Sequence, residues 1–473
     1  MKKNYFVMLC LLILCACNKK NDQSGPNHPT PPPNSNMDGT LTLDINHPAN
    51  AIPKNFEGLS FENWILSRNP EYLDPNNTVM VQLIKNLGTG VIRMGGNSSD
   101  ETDWVGNGFN PNTHFDILTP ANIDKLAEFA RKTNWQVIFG LNLGHNNINA
   151  SIDEAKYLYQ QLGGNLDALQ IGNEPDYFRL GYRPVSYSIQ DYQAEWNTNF
   201  AAIKAQMPQA QFAGPDVSDH LGWAETFAQN NSKNINLLDA HYYNDGPATS
   251  SSIDCQTILS QDITLIPYLQ GLDDASKRAG LGYRITETNS IWGGGKPGVS
   301  DAFAGTLWAL DLMWSIAANS GQGVNFHGGE LVYSPIAVGP DGQCTAKAVY
   351  YAMLAFKYGA AGGVIIPVNI KNSISNYNAY ACSTTDGYTM TIINKEQKKD
   401  ISLTVNAGRT VNSINVMQLK APAVNSTTGI TFAGAAVQSD GSFSPVSQGD
   451  VQIGKSNFVI KVPAASAVVV VIK

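Results

Sequence analysis

Ala168-Leu-Gln-Ile-Gly-Asn-Glu-Pro-Asp176 sets one carboxylate, Glu174, directly behind an apolar run that reads as a buried strand. A second such run, Tyr283-Arg-Ile-Thr-Glu287, also ends in a glutamate. Working outward from these two, short apolar runs alternate with amphipathic helical patterns, the signature of repeated βα units around a parallel sheet. The spacing predicts eight strands, at 56–62, 91–96, 136–142, 168–173, 211–215, 238–243, 283–287 and 323–327. Helix punctuation fits between them. Thr119 precedes Pro120, Ser151 and Glu154 have the spacing of a capping box, and Gly163-Gly164 closes the helix that follows. Eight such units predict an α/β fold, a (β/α)8 TIM barrel over 56–360, with reactive groups at the C-terminal strand ends. Glu174 and Glu287 end the fourth and seventh strands. Only a closed barrel brings residues so far apart in the chain to one pocket.

Two carboxyl groups in one pocket are the minimum equipment for cleaving a glycosidic bond. One protonates the leaving oxygen and the other attacks or holds the sugar carbon. The rest of the composition agrees. The 473 residues carry a formal net charge of -8 with 15% charged residues, which gives a nucleic-acid or polyanion surface no electrostatic support. A carbohydrate is the expected partner, with no nucleic acid. No zinc spacing, phosphate-binding glycine loop or dinucleotide fingerprint occurs, so the chemistry is expected to need neither metal nor other cofactor.

At the N-terminus, Met1-Lys-Lys3 and the apolar run behind it have the layout of a secretory signal over 1–17. It ends in Leu14-Cys-Ala-Cys17, which resembles the lipobox of bacterial lipoproteins, in which the cysteine is acylated. Cys17 is then the lipid anchor and sole membrane attachment, on a bacterial cell envelope. A proline-rich tether, including Pro31-Pro-Pro33, is expected over 18–38. Cys255, Cys344 and Cys382 are left as buried thiols. Segment 39–55 reads as an N-terminal strand joining a C-terminal β-sandwich, which is expected over 361–473 from period-two runs and Gly/Ser/Asn turns.

Four stretches carry a family resemblance: Leu59-Ser-Phe-Glu62, Arg93-Met-Gly-Gly-Asn97, Gly172-Asn-Glu-Pro-Asp176, and Thr286-Glu-Thr-Asn-Ser290 with Gly293-Gly-Gly295. In this strand order they resemble the clan A glycoside hydrolases, and most of all family 79, the β-glucuronidase and heparanase family. The likeness runs from about residue 40 to the C-terminus. It implies double displacement with retention, with Glu174 as acid/base and Glu287 as nucleophile. It further implies that Arg93 holds the nucleophile ionised, that Asn173 bonds the sugar 2-hydroxyl, and that Tyr242 or Tyr243 donates to Glu287. Only one of that tyrosine pair can point inward, because strand faces alternate.

The resemblance also implies substrate contacts at Glu62, Asn97, Trp292, Gly293, Gly294 and Tyr333. Asn325 and His327 on the eighth strand stand open between subsite and core, as does His241. Trp292 departs from the family pattern, occupying the place of a tyrosine in bacterial glucuronidases. It can stack on a sugar face but donates only through its indole nitrogen. The activity expected is an exo-acting β-glucuronidase on glucuronic or 4-O-methylglucuronic acid. A β-glucosidase, a β-xylosidase or a non-catalytic glycan-binding lipoprotein are the alternatives.

Overall fold

Eight parallel strands form a ring: Glu57–Glu62, Val91–Gly95, Gln136–Leu141, Leu166–Ile171, Ala213–Val217, Leu237–Asp245, Gly282–Ile291 and Val324–His327. They pair in sequence from fifth through eighth to first and on to fourth, and a parallel bridge from Leu169 to Phe212 closes fourth against fifth. The computed structural model describes residues 37–106, 116–360, 362–446 and 449–473. The expected (β/α)8 barrel is the observed one. Each strand is followed by a helix: Thr78–Leu87, Pro120–Thr133, Ile148–Leu162, Ile189–Gln206, Leu221–Asn231, Leu265–Ala279, Phe303–Ala318 and Ala348–Ala360.

The strands are covered on both faces, which is why Val91–Gly95 and Ala213–Val217 are buried throughout. Val91, Ile138, Ala168 and Ala213 form their own small apolar cluster. Val91 shares a strand face with Arg93, two residues on, so this cluster is the floor beneath the polar end of the barrel.

Local signals explain the helix boundaries. The Thr119 N–H and hydroxyl both donate to the Asn122 side chain, at 2.9 and 2.7 Å, ahead of Pro120. The capping box expected at Ser151 and Glu154 is not formed. The helix starts a turn earlier, where the Asn147 side chain accepts from the Ala150 N–H at 3.3 Å, and Ser151 and Glu154 turn inward and are buried. Burial pushes the Glu154 carboxyl up to about 8, with Asp103 and Asp153 adding to the shift. The helix Phe303–Ala318 is apolar all round because it is wedged between barrel and C-terminal sheet. Its Trp314 stacks on Tyr380, and its Asp311 pairs with Lys395 at 3.0 Å.

The C-terminal strands form one hydrogen-bonded sheet folded around a separate core that includes Leu41, Met390, Leu403 and Val470. The period-two runs at 401–405 and 414–419 lie on one long strand, Ile401–Lys420. Its pairing with Val451–Val462 slips between Asn406 and Val411, where Gly408 has φ 71°, so the chain bends there instead of turning back. Gly39–Leu43 lies between Ile401–Lys420, in parallel, and Val368–Lys371, in antiparallel. The tether ends earlier than expected. Asp38 exchanges backbone and side-chain bonds with Ser402 and pairs with Lys399 at 2.6 Å, so it belongs to the sheet. The signal segment, Cys17 and the tether up to residue 36 lie outside the described residues. Among the described residues no helix is long and apolar enough to cross a membrane.

Leu41 is fully buried between its two partner strands. Leu41→Ala is expected to lower the unfolding free energy by about 2–5 kcal/mol in urea titrations, and a loss below ~0.5 kcal/mol would contradict this packing.

Candidate active site

Arg93, fully buried on the second strand, organises the C-terminal mouth of the barrel. Its Nε donates to Gln170 Oε1 at 3.1 Å. Nη1 donates to Ser60 Oγ at 3.2 Å and Glu287 Oε2 at 2.6 Å, and Nη2 to Asn173 Oδ1 at 2.7 Å and to the Asp216 carboxylate. Glycines make the room. A Cβ on Gly95 would collide with the guanidinium, and one on Gly96, where φ is 69°, with the Glu62 carboxylate.

Two bulges aim the carboxylates. The sixth and seventh strands pair Ala240 with Ile285 and His241 with Glu287, leaving Thr286 as an extra residue. Consecutive side chains therefore both turn inward. Thr286 Oγ1 donates to Asp216 Oδ1 at 2.9 Å while Glu287 receives Arg93. The fifth strand has a matching slip at Asp216, whose φ is 59° and whose N–H donates to Asp239 Oδ1 at 2.7 Å. Glu174 is also left-handed, with φ 46°. Its N–H donates to Asp216 O at 2.8 Å, and it caps the 3₁₀ helix Pro175–Leu180. A non-glycine residue in that region costs about 1 kcal/mol or more, which the surrounding bonds must offset.

On the sixth strand, Asp239, His241 and Tyr243 face inward. His241 Nδ1 lies 3.0 Å from Glu174 Oε1 and its Nε2 2.9 Å from Asp216 Oδ1. The Tyr243 hydroxyl donates to Glu287 Oε1 at 2.8 Å. A carboxylate oxygen of Glu174, one of Glu287 and a ring nitrogen of His241 all lie within 4.8 Å of one another. Both His241 nitrogens face carboxylates and Arg93 abuts Glu287, so this trio is arranged for proton traffic. Asp176, Asp219 and His220 also have metal-ligand spacing, and Asp176 there already accepts from the Ser218 N–H.

The two glutamates sit in opposite environments. Burial pushes Glu287 up, but His327, His241, Arg93 and the Tyr243 hydroxyl outweigh it and hold the carboxyl well below the usual range. Burial raises Glu174, and the charges of Glu287 and Asp176 add to that against the His241 bond. Burial alone would deprotonate His241, yet Asp216 and Glu287 lift it to about 10.

A cavity of about 620 Å³ opens over this cluster. Among the expected residues, Glu62, Asn97, Glu174, Tyr243, Glu287, Trp292, Gly293, Gly294, His327 and Tyr333 line it. His327 Nδ1 bonds Ser60 Oγ at 3.1 Å, with Glu62 and Glu287 oxygens each 3.6 Å from its ring. Asn173 lines instead an adjoining cavity of about 390 Å³ that shares Asn97 and Glu174 with the first, its Nδ2 donating to Asn97 Oδ1 at 3.2 Å. Two expected residues do not reach the site. Tyr242 alternates outward, packs on Tyr268 and donates to Asp262. Asn325 shares the face of His327 but lies one layer lower. There it accepts from Arg284 Nε at 2.6 Å and donates to Leu59 O and Val91 O, tying its own strand to three others.

Residues 371–469 match the family model described as the glycosyl hydrolase family 79 C-terminal β domain. A β-glucuronidase of Aspergillus niger is 27% identical over 352 residues, 63% of this chain and 64% of that protein. Heparanase of Rattus norvegicus is 28% identical over 211 residues, 41% of this chain and 38% of that one. Residues 371–469 thus carry the family 79 C-terminal β domain, and the chain is similar to a β-glucuronidase and a heparanase. It spans less than two thirds of the length of these curated relatives. The barrel and sheet superpose on the crystal structure of a 4-O-α-L-rhamnosyl-β-D-glucuronidase from Fusarium oxysporum 12S. The TM-score is 0.72 at 20% identity, covering 92% of this chain and 99% of that one, which supports the fold.

The sequence alone does not single out Asp216, Gln170 or Asp239, and leaves His241 open. Their signal is faint. Polar residues inside the apolar runs Leu-Gln-Ile, Gly-Pro-Asp-Val and Leu-Asp-Ala-His mark inward positions that must be bonded to be buried. Because the His241 pKa is raised from 6.5 to about 10, its stabilising contribution is complete below the lower value and lost as pH rises through the higher. NMR of the ring is expected to show both nitrogens protonated at about pH 8. A neutral ring there would refute the arrangement.

Proposed function

We propose that the chain is a retaining, exo-acting β-glucuronidase that releases glucuronic or 4-O-methylglucuronic acid from glycans or glycosides. In this reading Glu287 is the nucleophile and Glu174 the acid/base. The observation that carries it is the approach of Glu174 and Glu287 oxygens to within 4.8 Å, with the Glu287 carboxyl held down and the Glu174 carboxyl pushed up from the usual carboxylate value. Such a separation suits direct attack by a carboxylate. Inverting enzymes need about 6.5–9.5 Å to seat a water between the pair.

Glu287 attacks the anomeric carbon as Glu174 gives its proton to the departing oxygen. The glycosyl ester removes the negative charge that helped to raise Glu174, so the acid is now stable as a carboxylate. Glu174 then takes a proton from water, the hydroxide attacks the anomeric carbon, and Glu287 leaves as carboxylate. Arg93 and Tyr243, each bonded to Glu287, keep it aimed throughout. Asn173 faces the 2-hydroxyl.

Recognition of a uronate carboxylate is supported by the loop after the seventh strand. Gly293, Gly294 and Gly295 have φ near 90°, and among the described residues their N–H groups donate to no protein acceptor. Such free amides form a pocket for an anion. The Tyr333 hydroxyl lies 3.4 Å from that of Tyr243, on the same side. Trp292, half exposed at the rim, offers a ring face to the sugar.

Glu287→Gln is expected to lower kcat on a chromogenic β-glucuronide by about 10³-fold or more with little change in unfolding midpoint. Azide should partly restore Glu174→Ala but not Glu287→Gln. Turnover of the matching β-glucoside with none of the glucuronide would reject the glucuronidase reading. A fully active Glu287→Gln would reject the role. Envelope anchoring through Cys17 is part of this proposal. Alkyne-palmitate labelling in a bacterial host should be lost in Cys17→Ala, and labelling that persists in the variant refutes the anchor.

A further inference from the structure

A 3₁₀ helix turns once every three residues, so side chains three apart lie in line. The helix Pro175–Leu180 begins at Glu174, which places Glu174, Tyr177 and Leu180 in one row running out from the acid. Phe178 is buried and pins the helix, while Tyr177 is 36% and Leu180 76% exposed, among the large apolar side chains left open to solvent. All three members of the row line the 620 Å³ cavity. All three also line a second cavity of about 390 Å³, which Glu287, Tyr243 and His327 do not reach and which is walled by Phe178 and Tyr182. The site therefore continues past the acid.

A leaving group departs past the residue that protonates it. We propose that the Tyr177–Leu180 row is the leaving-group subsite, and that its occupant is an uncharged sugar residue. This rests on the assignment of Glu174 as the acid. The apolar row suits the hydrophobic face of a pyranose. Ser218 and Asp219, which share the cavity wall, offer partners for its hydroxyls. Among the described residues no lysine, arginine or histidine lines the 390 Å³ cavity, while Glu101 does, so a sulfated or uronate residue would meet only like charge there.

The test compares β-D-glucuronosyl fluoride, whose leaving group is too small to reach Tyr177, with a β-glucuronosyl disaccharide ending in glucose. For Tyr177→Ala and Leu180→Ser, the ratio of kcat/KM on disaccharide to that on fluoride is expected to fall about tenfold from the unaltered protein's value. An unchanged ratio overturns the subsite. A ratio that falls only when a 4-nitrophenyl glucuronide replaces the disaccharide assigns the row to aryl groups and overturns the sugar proposal. So does faster cleavage when the glucose carries a sulfate. Failure of the unaltered protein to hydrolyse the fluoride rejects the hydrolase reading instead. Saturation-transfer NMR with the disaccharide then still decides the subsite. Transfer from aromatic protons to the glucose unit, reduced in Tyr177→Ala, supports it, and absence of transfer in the unaltered protein refutes it.

Discussion

A permanently charged guanidinium with no exposure to solvent is the constraint on which this site depends. Arg93 cannot shed its proton, and burying it without partners would cost many kcal/mol, so its donors must be met from several strands at once. Asp216 and Glu287 supply the compensating charge; Gln170, Ser60 and Asn173 fill the remaining geometry. The first, second, fourth, fifth and seventh strands are thereby tied together around one side chain. Asn173 is also oriented. Its oxygen faces Arg93, so its NH2 group is left to point toward Asn97 and the cavity.

Satisfying Arg93 asks more of the strands than simple alternation can give. Asp216 accepts from Arg93, His241, Gln170 and Thr286, which requires the fifth strand to spend an extra residue. The seventh strand does the same at Thr286 to bring Glu287 round. Positive φ at Glu174 and Asp216 is the backbone consequence. Regular structure yields where the buried polar network needs a particular direction.

This explains what could be read in the sequence. Apolar runs of near-constant spacing declare the barrel because each strand buries both faces, and a glutamate at the end of such a run is conspicuous against it. Tyr243 and Tyr242 could be separated only as a pair, since alternation states that one faces inward without saying which. Bulges carry no local signature here. Thr286 and Asp216 look like ordinary strand residues until the register is known, so the partners of Arg93 stayed hidden. Asn325 misled for a related reason: face is legible from periodicity, whereas depth within the barrel is not. Ser151 failed as a cap because Asn147 offered an equally good acceptor one turn earlier and Ser151 was then worth more inside. The length of the strand Ile401–Lys420 is hidden because a glycine bend, here at Gly408, and a hairpin turn have similar composition.

The charges on the network also bear on how the proposed cycle can run in so dry a place. At rest Arg93 and His241 are positive and Asp216 and Glu287 negative, while burial pushes the Glu174 carboxyl up, and the proposed cycle starts with it protonated. Asp239, raised to about 8 by burial and by Asp216, adds no charge near neutrality. Forming the glycosyl ester neutralises Glu287 and leaves Glu174 ionised, so the total is unchanged and one negative charge has moved within the 4.8 Å trio. His241 stands beside both positions, feeling Glu287 through space and bonded to Glu174. The same imidazolium therefore balances the charge before and after the transfer, and Asp216 behind it fixes that ring in place. A buried site can afford a migrating charge when its counter-charge need not move.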